Sequence, residues 1–386
     1  MHTLIKKLFP GYTLGGDTGE SIDWVLFLAT LPILGAGLVT MNSFTGDSHF
    51  FIRQSIWIIV SVVVFFGLST IDFRFLRTTW ASIGMFIASC GLLLVLFVIG
   101  HTVKGAQSWF NLGFFSFEPA EPIKLVVIFI LAKYFSRRHI EIANIRHIVV
   151  SGIYAFIIFI LVVLQPDFGS AVIIFLIWFG MVLVSGISKK HIMAVACIGL
   201  VAFGGLWMFG FKEYQKNRIK TFVNPLSDIH GTGYNVNQSI IAVGSGQVWG
   251  KGVGYGTQSR LRFLPEFQTD FIFAAFAEEW GFVGVVLVSL LFGVVIWRII
   301  SISLRGATNF ETLFGVGLAI FFVAHIVINA GMNIGVMPVT GITLPFMSYG
   351  GTHILTEFIG LGILMGMRRY NRAAHRDTMK QEYIGQ

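Results

Sequence analysis

Ten long apolar stretches fill most of the 386 residues, at about 24–41, 54–70, 80–100, 121–135, 148–164, 169–187, 191–210, 271–297, 311–334 and 352–367. Wound as helices, runs of this kind match the roughly 30 Å hydrocarbon core of a bilayer. The sequence therefore predicts an all-α polytopic membrane protein with about 10 transmembrane helices. Hydrophobic residues make up 55% of the chain and charged residues 12%, a balance that excludes an ordinary soluble domain. The 44 glycines suit helices that approach one another closely in lipid. Both cysteines, Cys90 and Cys197, fall inside apolar stretches, so neither a disulfide framework nor a thiolate metal site is expected. Residues 1–20 carry Lys6 and Lys7 but no apolar core, so no cleavable signal peptide is expected.

The net charge of +8 is explained by its distribution. If the spans alternate, 17 of the 27 Lys and Arg fall on one side, among them Lys6, Lys7, Arg74, Arg77, Lys133, Arg137, Arg138, Arg298, Arg305, Arg368, Arg372, Arg376 and Lys380. The short loops opposite hold only Arg53 and Lys104, and seven more occupy the segment 211–270, too long to count. This asymmetry predicts cytoplasmic termini and an extracytoplasmic 211–270 loop between helices 7 and 8. The basic balance then reports topology and anionic lipid, not a nucleic-acid footprint. The chain reads as one membrane domain over 1–386, with a cytoplasmic segment 1–23 and a cytoplasmic tail 368–386.

Charged and polar side chains interrupt this frame. Ionisable groups at membrane depth are costly and face a cavity, a partner charge or a substrate path. Glu121 and Lys124 lie three residues apart on one helix face and are close enough to pair, with Glu118 one turn earlier. Two readings stand: a structural ion pair between helices, or a cation held for an anionic substrate group. His325, Asn329 and Asn333 form a stripe on the ninth span, and His353 and Glu357 another on the tenth. Each alone suggests interhelical hydrogen bonding; together, rising toward one segment, they suggest a cavity wall. Residues 335–351, GVMPVTGITLPFMSYGG, combine apolar character with two Pro and four Gly, which predicts a re-entrant segment before helix 10.

In the long loop, LPEFQTDF (264–271) brings Glu266 and Asp270 to the mouth of the eighth span. A carboxylate on that boundary is partly desolvated and suited to taking a proton, although Asp at a helix start is also a common N-cap. Asp167, in the QPDFG turn, carries the same ambiguity. Arg218, with Lys212, Lys216 and Lys220 beside Phe211, Tyr214 and Phe222, is either an interfacial amphipathic stretch or a phosphate clamp. The Gly-rich run 244–256 is not a nucleotide loop: three residues, not four, separate Gly246 from Gly250-Lys251, and Gly252 follows where Ser or Thr is required. It is expected to be a flexible, cavity-shaping loop.

Seven segments, in order across nearly the whole chain, resemble the SEDS family (shape, elongation, division and sporulation). They are KGAQSWFNLG (104–113), EPAEPIKL (118–125), QPDFGSA (165–171), Arg218 with Asn224-Pro225, GYNVNQSIIAVGSGQVWGKGVG (233–254), LPEFQTDFIFAAFAEEWGFVG (264–284) and MPVTGITLPFMSYGG (337–351). The resemblance implies a peptidoglycan glycosyltransferase that polymerises lipid II at the outer face of the bacterial cytoplasmic membrane, together with a class B penicillin-binding protein as transpeptidase. It implies Asp270 as catalytic residue, and matches Glu121, Lys124 and Trp109 to family motif positions. Glu118-Pro119-Ala120 replaces the usual Gln-Pro-Ser, Thr352 ends the SYGG motif in place of Ser, and Ser108 stands where many relatives have Arg before the motif Trp. The Ser variant looks more like the elongation branch of the family than the division branch.

Expected from these readings is a general-base mechanism. Asp270 takes a proton from the acceptor sugar hydroxyl, and polyprenyl pyrophosphate leaves with inversion at the donor. Arg218 and Lys124 are candidates for the pyrophosphate charge, and a divalent cation, Mg²⁺ or Mn²⁺, for sharing it. Glu121, Trp109, Asp167, Glu266 and Ser348 complete the expected substrate-binding set. Two alternatives stay open: a lipid II flippase, and a non-enzymatic scaffold that activates a partner synthase.

Overall fold

The computed structural model describes residues 22–384 except 44–48, 104–105, 112, 114–115, 137–144, 187–188, 206, 209–212, 225–230 and 262. Lys6, Lys7, Lys104, Arg137, Arg138, Phe211, Lys212 and Pro225 lie outside the described residues, as do the side chains of Tyr214, Arg372, Arg376 and Lys380. Each of the ten predicted spans falls on a helix: α1 Trp24–Ser43, α2 His49–Ser69, α3 Thr79–Ile99, α4 Ala120–Ser136, α5 Ile145–Leu164, α6 Phe168–Val184, α7 Lys189–Gly205, α11 Ile272–Ser303, α12 Asn309–Asn333 and α13 Gly351–Ile384. Six of them (α1, α2, α3, α5, α11 and α12) are both long and apolar enough to cross a bilayer. The last predicted span runs on without interruption through the expected tail to Ile384. Three short strands, β1 His101–Val103, β2 Ala106–Asn111 and β3 Ser116–Phe117, form a small antiparallel sheet between α3 and α4 that hydropathy did not announce.

The burial pattern is that of a protein dissolved in lipid. In α2 the buried residues include Gln54, Ser61 and Ser69, while Ile52, Ile56, Ile59 and Val63 are 52–66% exposed. Water would penalise such a surface, whereas acyl chains do not. The centre belongs to α4, buried around most of its circumference and packed against α3, α6, α12 and α13. At the basic end of the bundle, Asp23 caps α1 by accepting from Leu26 N at 3.0 Å. Its carboxylate also receives Arg298 of α11 and Arg368 of α13, the latter at 2.9 Å, so one buried aspartate joins three helices. Arg77 and Glu311 pair nearby.

The opposite end, where 211–270 lies, corrects one expectation. This segment holds three helices: α8 Glu213–Val223, α9 Thr232–Ser245 and α10 Thr257–Arg260. Helix α9 packs along α11, and the Gly-rich run after it fills a break in that helix. Gly281 leaves helical geometry (φ 64°, ψ −167°), nine residues and thus about 14 Å along α11. The exposed backbone groups are met from the loop. Lys251 N donates to Glu278 O and Gly252 N to Glu279 O, while Phe282 N donates to Gln247 O and Val283 N to Val248 O, all at 2.9–3.1 Å. Gly250 (φ 79°) is required opposite, because a Cβ there would sit 2.1 Å from Glu279 O. Irregular backbone at this depth is tolerated because protein supplies its partners.

Two carboxylates hold the run in place, so the expectation of a flexible loop does not stand. Glu278, fully buried, accepts from Lys251 Nζ at 2.7 Å, Thr257 N at 2.9 Å and Gln258 N at 3.2 Å. Glu279 accepts from Gly254 N at 2.6 Å. Glu278→Ala leaves an ammonium and two amides without their acceptor and should destabilise the protein by roughly 3 kcal/mol. Thermal unfolding and limited proteolysis will check this: new cleavage within 246–258 is expected, and an unchanged profile would refute the clamp.

Candidate active site

The expected re-entrant segment, 335–351, is non-helical up to Gly350 and largely buried between α12 and α13, the last of which begins at Gly351. Its stretch Thr340–Ile342 is where the predicted polar residues of the loop end meet. Arg218 of α8 donates through Nη1 to Thr340 O at 3.3 Å. A Cβ on Gly341 (φ 77°) would lie 3.7 Å from Asp270 Oδ2, so the Asp270 carboxylate stands beside that glycine. Gly169, two residues after Asp167, packs so tightly on Thr340 that a Cβ would come within 2.7 Å of its carbonyl. Asn329 of α12 donates to Ile342 O at 2.7 Å. Arg218 and Asp270 thus reach one short segment from two different elements. Lys216 and Lys220 turn instead toward Glu213 at 3.8 and 4.0 Å, which separates Arg218 from the rest of its cationic run.

The ambiguity over the two aspartates resolves differently for each. Asp167 caps α6, accepting from Ser170 N at 3.0 Å; its Oδ2 is buried with no hydrogen-bond partner. Asp270 is not a cap. The N-cap of α11 is Phe271, so a helix start does not account for the Asp270 carboxylate. The turn that presents it is shaped by Glu266, whose φ of 55° is left-handed and whose carbonyl accepts from Thr269 N and Phe271 N at 3.1 and 3.2 Å. Glu266 Oε2 accepts from Thr269 Oγ1 at 3.1 Å, which makes this residue part of the turn. Ser348, expected at the substrate, is 2% exposed; it donates to Thr269 O at 2.7 Å and accepts from Leu344 N at 2.8 Å. Its work is to tie the re-entrant segment to the residue before Asp270. Trp109 is half-buried on β2, opposite His101, and hydrogen bonds from α12 and the re-entrant segment fix the Asp270 turn.

Glu121 and Lys124 form the predicted pair, at 2.6 Å, and the structure seals it inside. Both residues are at most 5% exposed. Lys124 Nζ also lies 3.2 Å from His325 Nε2, whose Nδ1 is 2.8 Å from Phe321 O. That geometry makes Nδ1 the donor to the carbonyl and Nε2 the acceptor from the ammonium. His353 bridges Glu121 and Glu357 at 2.8 and 2.9 Å, and Glu357 accepts from Phe346 N at 3.0 Å. His325 of the first predicted stripe and both residues of the second, His353 and Glu357, therefore belong to one charge network joining α4, α12, α13 and the re-entrant segment. At its loop end stands Glu118, half-buried, where desolvation and then the charges of Glu121 and Asp167 hold its carboxyl well above the usual carboxylate range.

Among the described residues, one group has metal-ligand spacing: Glu121, His325 and His353, with ligand atoms within 4.8 Å of one another. It does not fit the expected Mg²⁺ or Mn²⁺. Those ions favour oxygen donors, two of the three groups here are imidazoles, and the Lys124 ammonium already lies between Glu121 and His325.

The bundle of apolar helices, with its buried irregular segment before the last of them, defines an integral membrane protein. Residues 22–373 match the family described as "Cell cycle protein", FtsW/RodA/SpoVE, and the chain belongs to that family. It is 36% identical to stage V sporulation protein E of Bacillus subtilis, over 91% of this chain and 98% of that one. It is also 36% identical to the peptidoglycan glycosyltransferase MrdB of Escherichia coli, over 75% and 78%, and 33% to the probable peptidoglycan glycosyltransferase FtsW of Haemophilus influenzae, over 95% of each. Among solved structures, RodA of Thermus thermophilus superposes with a TM-score of 0.68 at 29% identity, covering 90% of this chain and 96% of that one. A chain from a peptidoglycan synthase complex that coordinates polymerization and crosslinking gives 0.77 at 29%, covering 90% and 97%.

Proposed function

We propose that this chain is a peptidoglycan glycosyltransferase of the RodA type. It polymerises lipid II, as donor and acceptor, at the outer face of the bacterial cytoplasmic membrane, with both termini inside. A class B penicillin-binding protein is its transpeptidase partner. The observation that carries this reading is the approach of Asp270 and Arg218 to Thr340–Ile342, at the end of the bundle opposite the basic clamp. A lipid-linked substrate, its tail in the bilayer, would present pyrophosphate and sugar at that level. The glycosyltransferase names of the MrdB and FtsW relatives support the activity, and the synthase-complex neighbour supports the partner. Ser108 and the RodA structural neighbour support the elongation branch.

In the reaction, Asp270 removes the proton from the acceptor 4-hydroxyl as its oxygen attacks the donor anomeric carbon. The bond from that carbon to the pyrophosphate oxygen breaks with inversion, and its electron pair leaves with polyprenyl pyrophosphate. Arg218 stabilises the charge that develops there. A phosphate leaving group needs no second acid, so one carboxylate suffices. Lys124, sealed in its network, positions α4 against α12. The test is purification of the chain with its class B transpeptidase and incubation with labelled lipid II in detergent. Glycan polymer on a gel is expected; a folded complex that leaves lipid II monomeric would overturn the proposal.

A further inference from the structure

The Asn329–Asn333 stripe, expected to line a cavity, instead acts on the backbone of Asp270. Asn333, fully buried, donates through Nδ2 to Asp270 O at 3.0 Å and accepts at Oδ1 from Ala274 N at 3.1 Å. Asp270 C=O and Ala274 N–H are the pair that would form the first hydrogen bond of α11 if that helix began at Asp270. The amide takes the place of that bond, and the first bond observed is Ala275 N to Phe271 O at 3.1 Å. The helix therefore starts one residue later, and Asp270 stays outside it, with Oδ2 beside Gly341.

Two further contacts stiffen the device. Asn329 Nδ2 donates to Asp270 O at 3.0 Å as well as to Ile342 O at 2.7 Å, so one amide sets the spacing between the aspartate and the re-entrant segment. Ser239 of α9 donates through Oγ to Asn333 O at 2.8 Å and Oδ1 at 3.3 Å. An ordinary interhelical hydrogen bond would join two helices side by side. This one replaces a bond within the helix, at the residue that bears the candidate base.

We propose that Asn333, supported by Asn329, is a positioning residue for Asp270: its amide intercepts the first hydrogen bond of α11 and so sets the direction of the carboxylate. The inference rests on the reading of Asp270 as the general base. With Asn333→Ala, Asp270 C=O and Ala274 N–H can bond to each other, α11 lengthens by one residue and the carboxylate turns. A displacement of about 1 Å at a reacting group costs roughly 10²-fold in rate, so kcat should fall on that order while KM for lipid II stays unchanged.

Steady-state polymerisation by the full chain with its transpeptidase partner tests this, with wild type and Asp270→Asn alongside. Asn333→Ala with low kcat and unchanged KM supports the proposal. A wild-type kcat, or a raised KM alone, overturns it when Asp270→Asn is inactive. An active Asp270→Asn instead overturns the reading of the base, and with it this inference. If Asn333→Ala does not fold, Ser239→Ala decides: it leaves both amides in place and removes only the hydroxyl that steadies Asn333. A several-fold lower kcat at unchanged KM is then expected, and wild-type kcat would refute the positioning role.

Discussion

Asp270→Asn should lower lipid II polymerisation by about 10²–10⁴-fold, the usual contribution of a positioned general base, and leave the fold intact. The reason lies in how the residue is held. Asn329 and Asn333 grip its backbone carbonyl, not its carboxylate, and Ser348 and Tyr349 hold Thr269 and Gln268 beside it through their carbonyls. An isosteric amide therefore keeps the turn and loses the proton acceptor. The measurement is a rate from labelled lipid II together with thermal unfolding of each purified complex. Full activity with an unchanged melting temperature would remove Asp270 from the chemistry and move attention to Asp167, whose unpaired Oδ2 is also buried near this end.

Lys124→Met should act oppositely, on stability first. The substitution leaves Glu121 facing His353 without its ammonium at 2.6 Å, and leaves His325 Nε2 without its donor at 3.2 Å. Removing one partner from a buried ion pair costs about 3–5 kcal/mol, because the remaining charge stays desolvated. Low yield and a markedly reduced melting temperature in detergent are expected. Adding Glu121→Gln should recover part of the loss, since the double variant buries one fewer unpaired charge. A Lys124→Met protein with wild-type melting behaviour and no polymerase activity would mean that the lysine serves substrate directly.

The contrast between these two residues shows what local sequence carries. Hydropathy placed a helix at every predicted span, because a bilayer penalises unsatisfied backbone and polar side chains wherever they occur. It did not announce that the last helix runs on to Ile384. The three-residue spacing of Glu121 and Lys124 announced their pair, which is a property of one helix turn. Their sealing was not legible, because the groups that enclose them, His325 and His353, come from spans about 200 residues further along. Glu278 and Glu279 were visible only as costly charges at a helix depth. Nothing local said that a Gly-rich run 25 residues earlier would fold back onto them. A clue was present all the same: Gly281 follows the acidic pair inside a long apolar helix, and the Gly-Lys-Gly at 250–252 supplies backbone that can approach closely.

By itself, then, the sequence determined the helical membrane architecture, the charge asymmetry of its two ends, the irregular segment before the last helix and the aspartate at the mouth of α11. These follow from chain-local physics: solvation of each run by lipid, and side-chain spacing along one helix. The tertiary structure alone decided that Arg218 and Asp270 share a segment, that Ser348 and Glu266 shape the turn, and that Asn333 enters the first turn of α11. Those outcomes depend on which buried donor finds which carbonyl across distant parts of the chain, and burial makes each such pairing obligatory only after the helices have packed.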